Sequence, residues 1–151
     1  MKRILLLAVM ALSFAATAQT VNPKYDKDLA ELLGADEYGM KQYIFVILKT
    51  GPNKIEDQTK LNTIFRGHME NIQRLAKEGK LVVAGPFMKN DNGFRGIFIF
   101  NVKTLPEAQA LLENDPAVKE KILEAEMYEW YGSAALGEYL ETHEKIEQKK
   151  P

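Results

Sequence analysis

His68 is the first residue in this sequence that could perform acid–base chemistry. It lies in the stretch RGHMENIQRLAKEGKLVVAGP, residues 66–86, which reads as an amphipathic helix followed by an apolar strand. His68 falls between Phe65 and Ile72 on the apolar face of that helix, so its ring should point toward a sheet. A lone histidine in such a place is more often a core residue bonded to the backbone than a catalytic base. Position alone favours packing and leaves catalysis open.

Asp115 is a second candidate, and it has a good structural explanation. It directly precedes Pro116 and a helical stretch, so its carboxylate is well placed to cap the free N–H groups of a helix that starts with proline. Trp130, in the segment EMYEWYG, is a candidate for lining a small apolar pocket, although a place in the core or in a dimer interface is the commoner outcome. His143 lies in a charge-rich segment that reads as a solvated helix, and we predict no role for it.

Several other chemistries are excluded or unsupported by composition. The chain has no cysteine, which excludes thiol catalysis, disulfides and thiolate metal sites. Two distant histidines make no zinc signature, and no carboxylate cluster has metal-ligand spacing. The sequence contains no nucleophile-elbow motif, phosphate-binding glycine loop or dinucleotide fingerprint. We therefore predict no metal and no cofactor, and the absence of a basic stripe gives no reason to propose a nucleic-acid partner.

The first 18 residues read as a signal peptide. Lys2 and Arg3 precede an apolar run, and Ala16-Thr17-Ala18 supplies the small-x-small pattern that predicts cleavage before Gln19. An uncleaved membrane anchor is the alternative, but the run is shorter than the roughly 20 residues that a span needs. No cysteine follows the run, which argues against a lipoprotein. We expect a periplasmic or secreted protein without a stable membrane anchor after cleavage.

The mature chain has the size of one domain. Cleavage leaves 133 residues and removes two of the 20 basic residues and none of the 21 acidic ones, so the net charge becomes −3. Such a chain is long enough to bury a core of its own. We predict an N-terminal helical extension over 19–39, the main domain over 40–132 and a charged C-terminal helix over 133–151.

Hydrophobic periodicity predicts the order β-α-β-β-α-β in the main domain. We expect strands at 41–50, 80–87, 94–102 and 126–132. The first helix should start at a capping box of Asn53 and Glu56 and stop at Gly79, and the second should start at a capping box of Thr104 and Glu107. A further helical stretch is predicted over 116–125. This order predicts an α+β, ferredoxin-like fold, in which both main helices cover one face of an antiparallel four-stranded sheet.

The predicted strands are apolar on both faces. Residues 43–48 are all apolar or aromatic, and so are residues 97–100, whereas a sheet covered on one face only should alternate with polar residues. A large wet apolar face is rare in a monomer. We therefore predict a homodimer through the open sheet face. The alternative is that the terminal helices fold back over this face within one chain.

Taken in order and spacing, His68, Gly79, Gly85-Pro86 and Asp115-Pro116 resemble the motifs of the YCII-related (YciI-like) family. The resemblance covers about residues 38–132. It implies a dimeric α/β barrel of the ferredoxin-like type, in which His68 and Asp115 approach each other in a cleft as an active-site dyad. Family members look like small enzymes without a bound cofactor, and one branch is similar to chloromuconolactone-type dehalogenases that act on small products of aromatic degradation.

The resemblance yields a mechanistic hypothesis. Asp115 would fix the imidazole tautomer, and the other nitrogen of His68 would move a proton on a small organic acid or lactone, in an elimination, isomerisation or hydrolysis. Gly85, Pro86 and Trp130 are the predicted substrate contacts. The signal peptide and the terminal extensions argue against a cytoplasmic catabolic role. The competing hypothesis is a non-catalytic exported module that binds a small ligand or a partner in the same cleft, and the sequence leaves open whether the protein is an enzyme.

Overall fold

The computed structural model describes residues 22–149, so the predicted signal peptide lies outside the described residues. Within this range the chain forms four β-strands, five α-helices and a 3₁₀ turn. In chain order these are α1 Lys27–Leu33, β1 Met40–Thr50, α2 Gln58–Lys77, β2 Leu81–Pro86, β3 Phe94–Phe100, α3 Leu105–Leu112, α4 Pro116–Lys119, β4 Leu123–Ser133, the 3₁₀ turn Ala134–Gly137 and α5 Leu140–Ile146. None of the helices between residues 22 and 149 has the length and apolar character required to cross a membrane.

The four strands form one antiparallel sheet in the order β2-β3-β1-β4. This order confirms the predicted α+β, ferredoxin-like fold. The main core lies between the sheet and the helices, because alternate residues of β1 and β3 point toward α2 and α3. Its largest fully buried members are Phe100, Ile44, Leu75, Leu81, Leu112 and Val46.

Several local predictions are confirmed. Thr104 and Glu107 form the expected capping box at the start of α3. Gly79 follows α2 with φ 69°, a left-handed conformation that glycine adopts without a steric penalty. Before the sheet, α1 follows an Asp26 cap and ends at Leu33, next to the C-cap Gly34.

The predicted start of the first main helix was wrong. Asp57 caps α2, four residues after the predicted cap, Asn53, and the helix begins at Gln58. Asn53 is used elsewhere: its side chain donates to the carbonyl of Glu120 at 2.8 Å, and its backbone N–H donates to the carbonyl of Lys121 at 3.1 Å. These tertiary bonds hold the connection in an extended path against the loop before β4, and the helix starts at the next suitable cap.

The predicted helix over 116–125 was also wrong in its second half. The helix α4 ends at Lys119, and the backbone reverses at Lys121 with φ 55°. The last strand then begins at Leu123, which pairs with Thr50 at the end of β1. The 11-residue strand β1 offers a partner along its whole length, so pairing overrides the helical pattern of residues 120–125.

The C-terminal segment covers part of the open sheet face and does not form one continuous helix. The hydroxyl of Tyr43 donates to the carbonyl of Ser133 at 2.8 Å, and that of Tyr139 donates to the carbonyl of Val82 at 2.6 Å. Leu136, in the 3₁₀ turn, packs against the small cluster of this face. Trp130 remains 37% exposed at the β4 edge. The homodimer therefore stays a prediction, and only part of the open face is left for it.

Candidate active site

His68 on α2 and Asp115 at the start of α4 are in direct contact. Nδ1 of His68 lies 2.7 Å from Oδ2 of Asp115, and only 8% of the histidine and 0% of the aspartate are exposed. Asp115 is also the N-cap of α4, because its Oδ1 accepts the N–H groups of Ala117 at 2.9 Å and Val118 at 3.3 Å. The two carboxylate oxygens are thus divided, one serving the helix and the other serving the histidine.

Asn71 completes the environment of the carboxylate. Its Nδ2 donates to Oδ2 of Asp115 at 3.3 Å, and its Oδ1 accepts from Nη2 of Arg74 at 2.8 Å. Arg74 in turn donates through Nη1 to Glu78 at 2.7 Å. The hydrogen bonds from Arg74 and then from Lys80 lower the pKa of Glu78 below its ordinary value.

The donors around Asp115 indicate which imidazole nitrogen of His68 carries the proton. An ionised carboxylate has about four acceptor positions, and the N–H groups of Ala117, Val118 and Asn71 occupy three of them. Because an ionised carboxylate can only accept, a neutral His68 presents Nδ1–H to the remaining position and carries its lone pair on Nε2. All buried side-chain N and O atoms of residues 22–149 have hydrogen-bond partners. Nε2 of His68 has no such partner, so this atom is not fully enclosed by protein.

Aromatic rings hold the imidazole plane. The ring of Phe98, on β3, stacks against His68 with centroids 5.9 Å apart and planes 29° apart. The ring of Phe65, one turn earlier on α2, approaches edge-on at 6.1 Å. The carboxylate and these two rings together restrict the imidazole to one orientation, as a positioned proton-transfer group requires.

Gly67 allows the two halves of the dyad to approach. A Cβ atom at this position would lie 2.9 Å from Cγ of Pro116, closer than side chains in folded proteins tolerate. Gly67 directly precedes His68, and Pro116 directly follows Asp115. The missing side chain therefore lets α2 and α4 pack closely at the point where the dyad forms.

The other predicted site residues are distributed over both faces of the sheet. Pro86 pairs with Gly96 and shares the face of Phe98, which is the His68 side. Gly85 pairs with Ile97 and alternates to the open face. Trp130 also lies on the open face, with its ring 5.8 Å from that of Tyr43. One chain thus brings His68 and Asp115 together, places Pro86 on their side and does not bring Gly85 or Trp130 to them. Their contact with substrate stays a prediction.

A groove of about 480 Å³ lies beside the dyad. It is lined by Gly67, Glu70, Asn71, Arg74, Asn114 and Pro116. The lining contains both neighbours of Asp115 and does not contain His68. This groove therefore borders Asn71 and Arg74 and does not border the imidazole.

Comparison with known proteins identifies the family. The model of the YCII-related domain matches residues 43–131, from β1 to β4, which includes both members of the dyad. The chain belongs to the YCII-related domain family. A similar solved structure is the 5-chloro-2-hydroxyhydroquinone dehydrochlorinase from Burkholderia phenoliruptrix AC1100 in complex with 2,5-dihydroxybenzoquinone. It is 18% identical, covers 58% of this chain and 92% of its own, and has a TM-score of 0.43. No curated protein matches the chain.

The sequence prediction for this YCII-related domain missed Asn71 and Arg74. A signal was present, because positions 68, 71 and 74 are three residues apart and share one side of a helix. Asn71 is a polar residue and yet is only 7% exposed. No group of three or more His, Asp or Glu side chains within residues 22–149 is arranged to hold a metal ion.

Proposed function

We propose that this YCII-related protein is a small exported enzyme that uses His68 and Asp115 for acid–base chemistry without a cofactor. The substrate class is a small organic acid or lactone, and the reaction is an elimination, isomerisation or hydrolysis. The observation that carries this proposal is the 2.7 Å contact of Nδ1 with a buried carboxylate, which leaves Nε2 as the free proton acceptor.

The geometry supports a simple proton path. Nε2 accepts a proton from a substrate carbon or from an attacking water, and the ring becomes an imidazolium. Asp115 stays ionised and compensates the new charge through the Nδ1–H bond, which is the role of an orienting carboxylate. The imidazolium then returns the proton to the leaving group or to another substrate atom. A positioned acid–base group of this kind contributes about 10²–10⁴-fold to rate.

The enzymatic proposal is tested by proton exchange as well as by turnover. The purified protein is incubated in D₂O with a panel of small organic acids and lactones, and substrate deuteration and product are followed by NMR. We expect at least one compound to exchange or react, and His68→Ala to abolish this while His143→Ala preserves it. A compound that binds, as seen by thermal stabilisation, without exchange or turnover would instead support the non-catalytic ligand-binding module.

We also propose that two copies pair through the part of the sheet face that the C-terminal segment leaves open. The exposed aromatic rings on this part, Tyr128 at 50% and Trp130 at 37%, support such an interface. Light scattering at micromolar concentration should give twice the chain mass. A monomer under these conditions would refute the dimer.

Export is proposed from the sequence features of residues 1–18 alone. Mass spectrometry of the protein from its source cells should find a chain that begins at Gln19, in the periplasmic fraction or in the medium. A full-length chain in the cytosol would contradict this proposal.

A further inference from the structure

A polar chain runs along α2 from solvent to the buried dyad. Its members are His68, Asn71, Arg74 and Glu78, spaced three or four residues apart on one side of the helix. The side chain of Arg74 is 47% exposed, whereas Asn71 is 7% exposed and Asp115 is fully buried. This row of hydrogen-bonded side chains therefore joins a surface guanidinium to a carboxylate that has no access to water.

The donors and acceptors in this row of side chains allow only one orientation of the Asn71 amide. A guanidinium only donates hydrogen bonds and an ionised carboxylate only accepts them. Asn71 lies between the two, so its amide must turn Oδ1 toward Arg74 and Nδ2 toward Asp115. The ion pair with Glu78, one turn along α2, holds the guanidinium in place. Arg74 thus fixes which end of the amide faces the dyad.

We propose that Asn71 and Arg74 are positioning residues for the dyad: they hold the carboxylate of Asp115 as an immobile acceptor and thereby fix His68 with its proton on Nδ1 and its lone pair on Nε2. The catalytic meaning of this claim rests on the proposed function. The tautomer claim itself requires no substrate.

The physical reason lies in Oδ2 of Asp115. This oxygen faces both Nδ1 of His68 and Nδ2 of Asn71, and the second donor keeps the carboxylate from turning. Without Asn71, one acceptor position of a buried charge has no partner, which proteins avoid strongly. The carboxylate must then rotate or admit water, and either change weakens its hold on Nδ1–H.

The test is ¹⁵N and ¹H NMR of the imidazoles in the full protein. The chain has two histidines, so His143, on the exposed C-terminal helix, is an internal reference. We expect His68 in the wild type to be the Nδ1–H tautomer with a slowly exchanging Nδ1 proton. Asn71→Ala should shift His68 to a tautomer mixture and speed exchange of that proton about tenfold, the equivalent of one lost hydrogen bond.

Two further variants make the test specific. Arg74→Met removes the group that orients the amide from a partly exposed position, and we expect a smaller change of His68 in the same direction. If Asn71→Ala does not fold, the His68 spectrum of Arg74→Met tests the proposal in its place. Asn62→Ala is the matched control, because Asn62 lies on the same helix and bonds only Gln58 at 2.8 Å. It should leave His68 unchanged.

The outcomes separate this inference from the proposed function. An unaltered His68 spectrum in folded Asn71→Ala or, if that variant is unfolded, in Arg74→Met would overturn the inference. A change in Asn71→Ala with none in Arg74→Met would overturn the role of Arg74. The catalytic proposal fails on a different result, namely turnover that survives His68→Ala.

Discussion

Asp57 and Asp115 both cap the start of a helix with one carboxylate oxygen, and they differ in what the second oxygen contacts. Oδ1 of each accepts two backbone N–H groups at the start of a helix, α2 for Asp57 and α4 for Asp115. Asp57 is exposed and its capping bonds use one oxygen. Asp115 is fully buried, and its second oxygen accepts from His68 and Asn71. Helix capping therefore leaves half of a carboxylate available for a site.

Asp36 shows that a divided carboxylate is not sufficient for such a site. Its Oδ1 accepts the N–H groups of Tyr38 and Met40, and its Oδ2 accepts the hydroxyl of Tyr131. This arrangement has the same plan as that of Asp115, but it lies on the surface. Burial and a histidine partner are what distinguish Asp115.

The largest difference in stability between the two caps is expected when each side chain is truncated to alanine. Asp57→Ala should lower the free energy of unfolding by about 1 kcal/mol, the usual loss of a cap. Asp115→Ala should lower it by about 3–5 kcal/mol, because the loss of the cap adds to the cost of leaving the buried donors of His68 and Asn71 without an acceptor. Urea denaturation measures both. Equal losses would show that Asp115 is only a cap.

The isosteric change sharpens this comparison. Asp115→Asn retains an oxygen for the cap but places an NH₂ group against the donors of His68 and Asn71. We expect a loss of about 2 kcal/mol, since these buried donors face a donor. The matched variant Asp57→Asn should be nearly neutral, because asparagine caps helices as well as aspartate does. A neutral Asp115→Asn would mean that the second oxygen is unimportant.

Sequence patterns predicted the fold better than the site. Periodicity predicted the order of strands and helices along the chain, and local chemistry predicted the cap of α3. The start of α2 and the end of α4 did not, because contacts of Asn53 with residues 120–121 and pairing of Leu123 with β1 decide them. The cap at Asp115 could be predicted locally. The contact with His68 could not, since nothing within a few residues of Asp115 shows where its second oxygen points; it came from family resemblance.

The cap at Asp115 also differs from the cap at Asp57 because its helix, α4, packs closely against α2 at Gly67 and Pro116. Gly67→Ala gains about 1 kcal/mol of helix propensity but forces the Pro116 ring away, so we expect a net loss of about 1–2 kcal/mol. In a Pro116→Ala background the clash with Cγ is absent, and the same Gly67→Ala change should be neutral or stabilising. Denaturation of the four proteins of this cycle measures the coupling. Additive effects would contradict the close-approach argument.

The smallest effect is expected at Asp36. The hydrogen bond to Asp36 raises the pKa of Tyr131 to about 12. In return, the pKa of Asp36 is lowered, so its contribution to stability is present above its ordinary pKa and is lost as the pH falls through the lowered value. Asp36→Asn should return the pKa of Tyr131 toward 10, its ordinary value. The tyrosinate absorbance during an alkaline titration tests this, with Tyr131→Phe as the control that removes the signal.

The most direct test of the central claim is kcat of His68→Ala on a substrate found in the acid and lactone screen. With Nε2 as the proton-transfer group, we expect kcat to fall by about 10²–10⁴-fold while the variant folds and associates like the wild type. His143→Ala, measured beside it, should retain full turnover. A folded His68→Ala protein with unchanged kcat would contradict the assignment of the dyad as a catalytic pair.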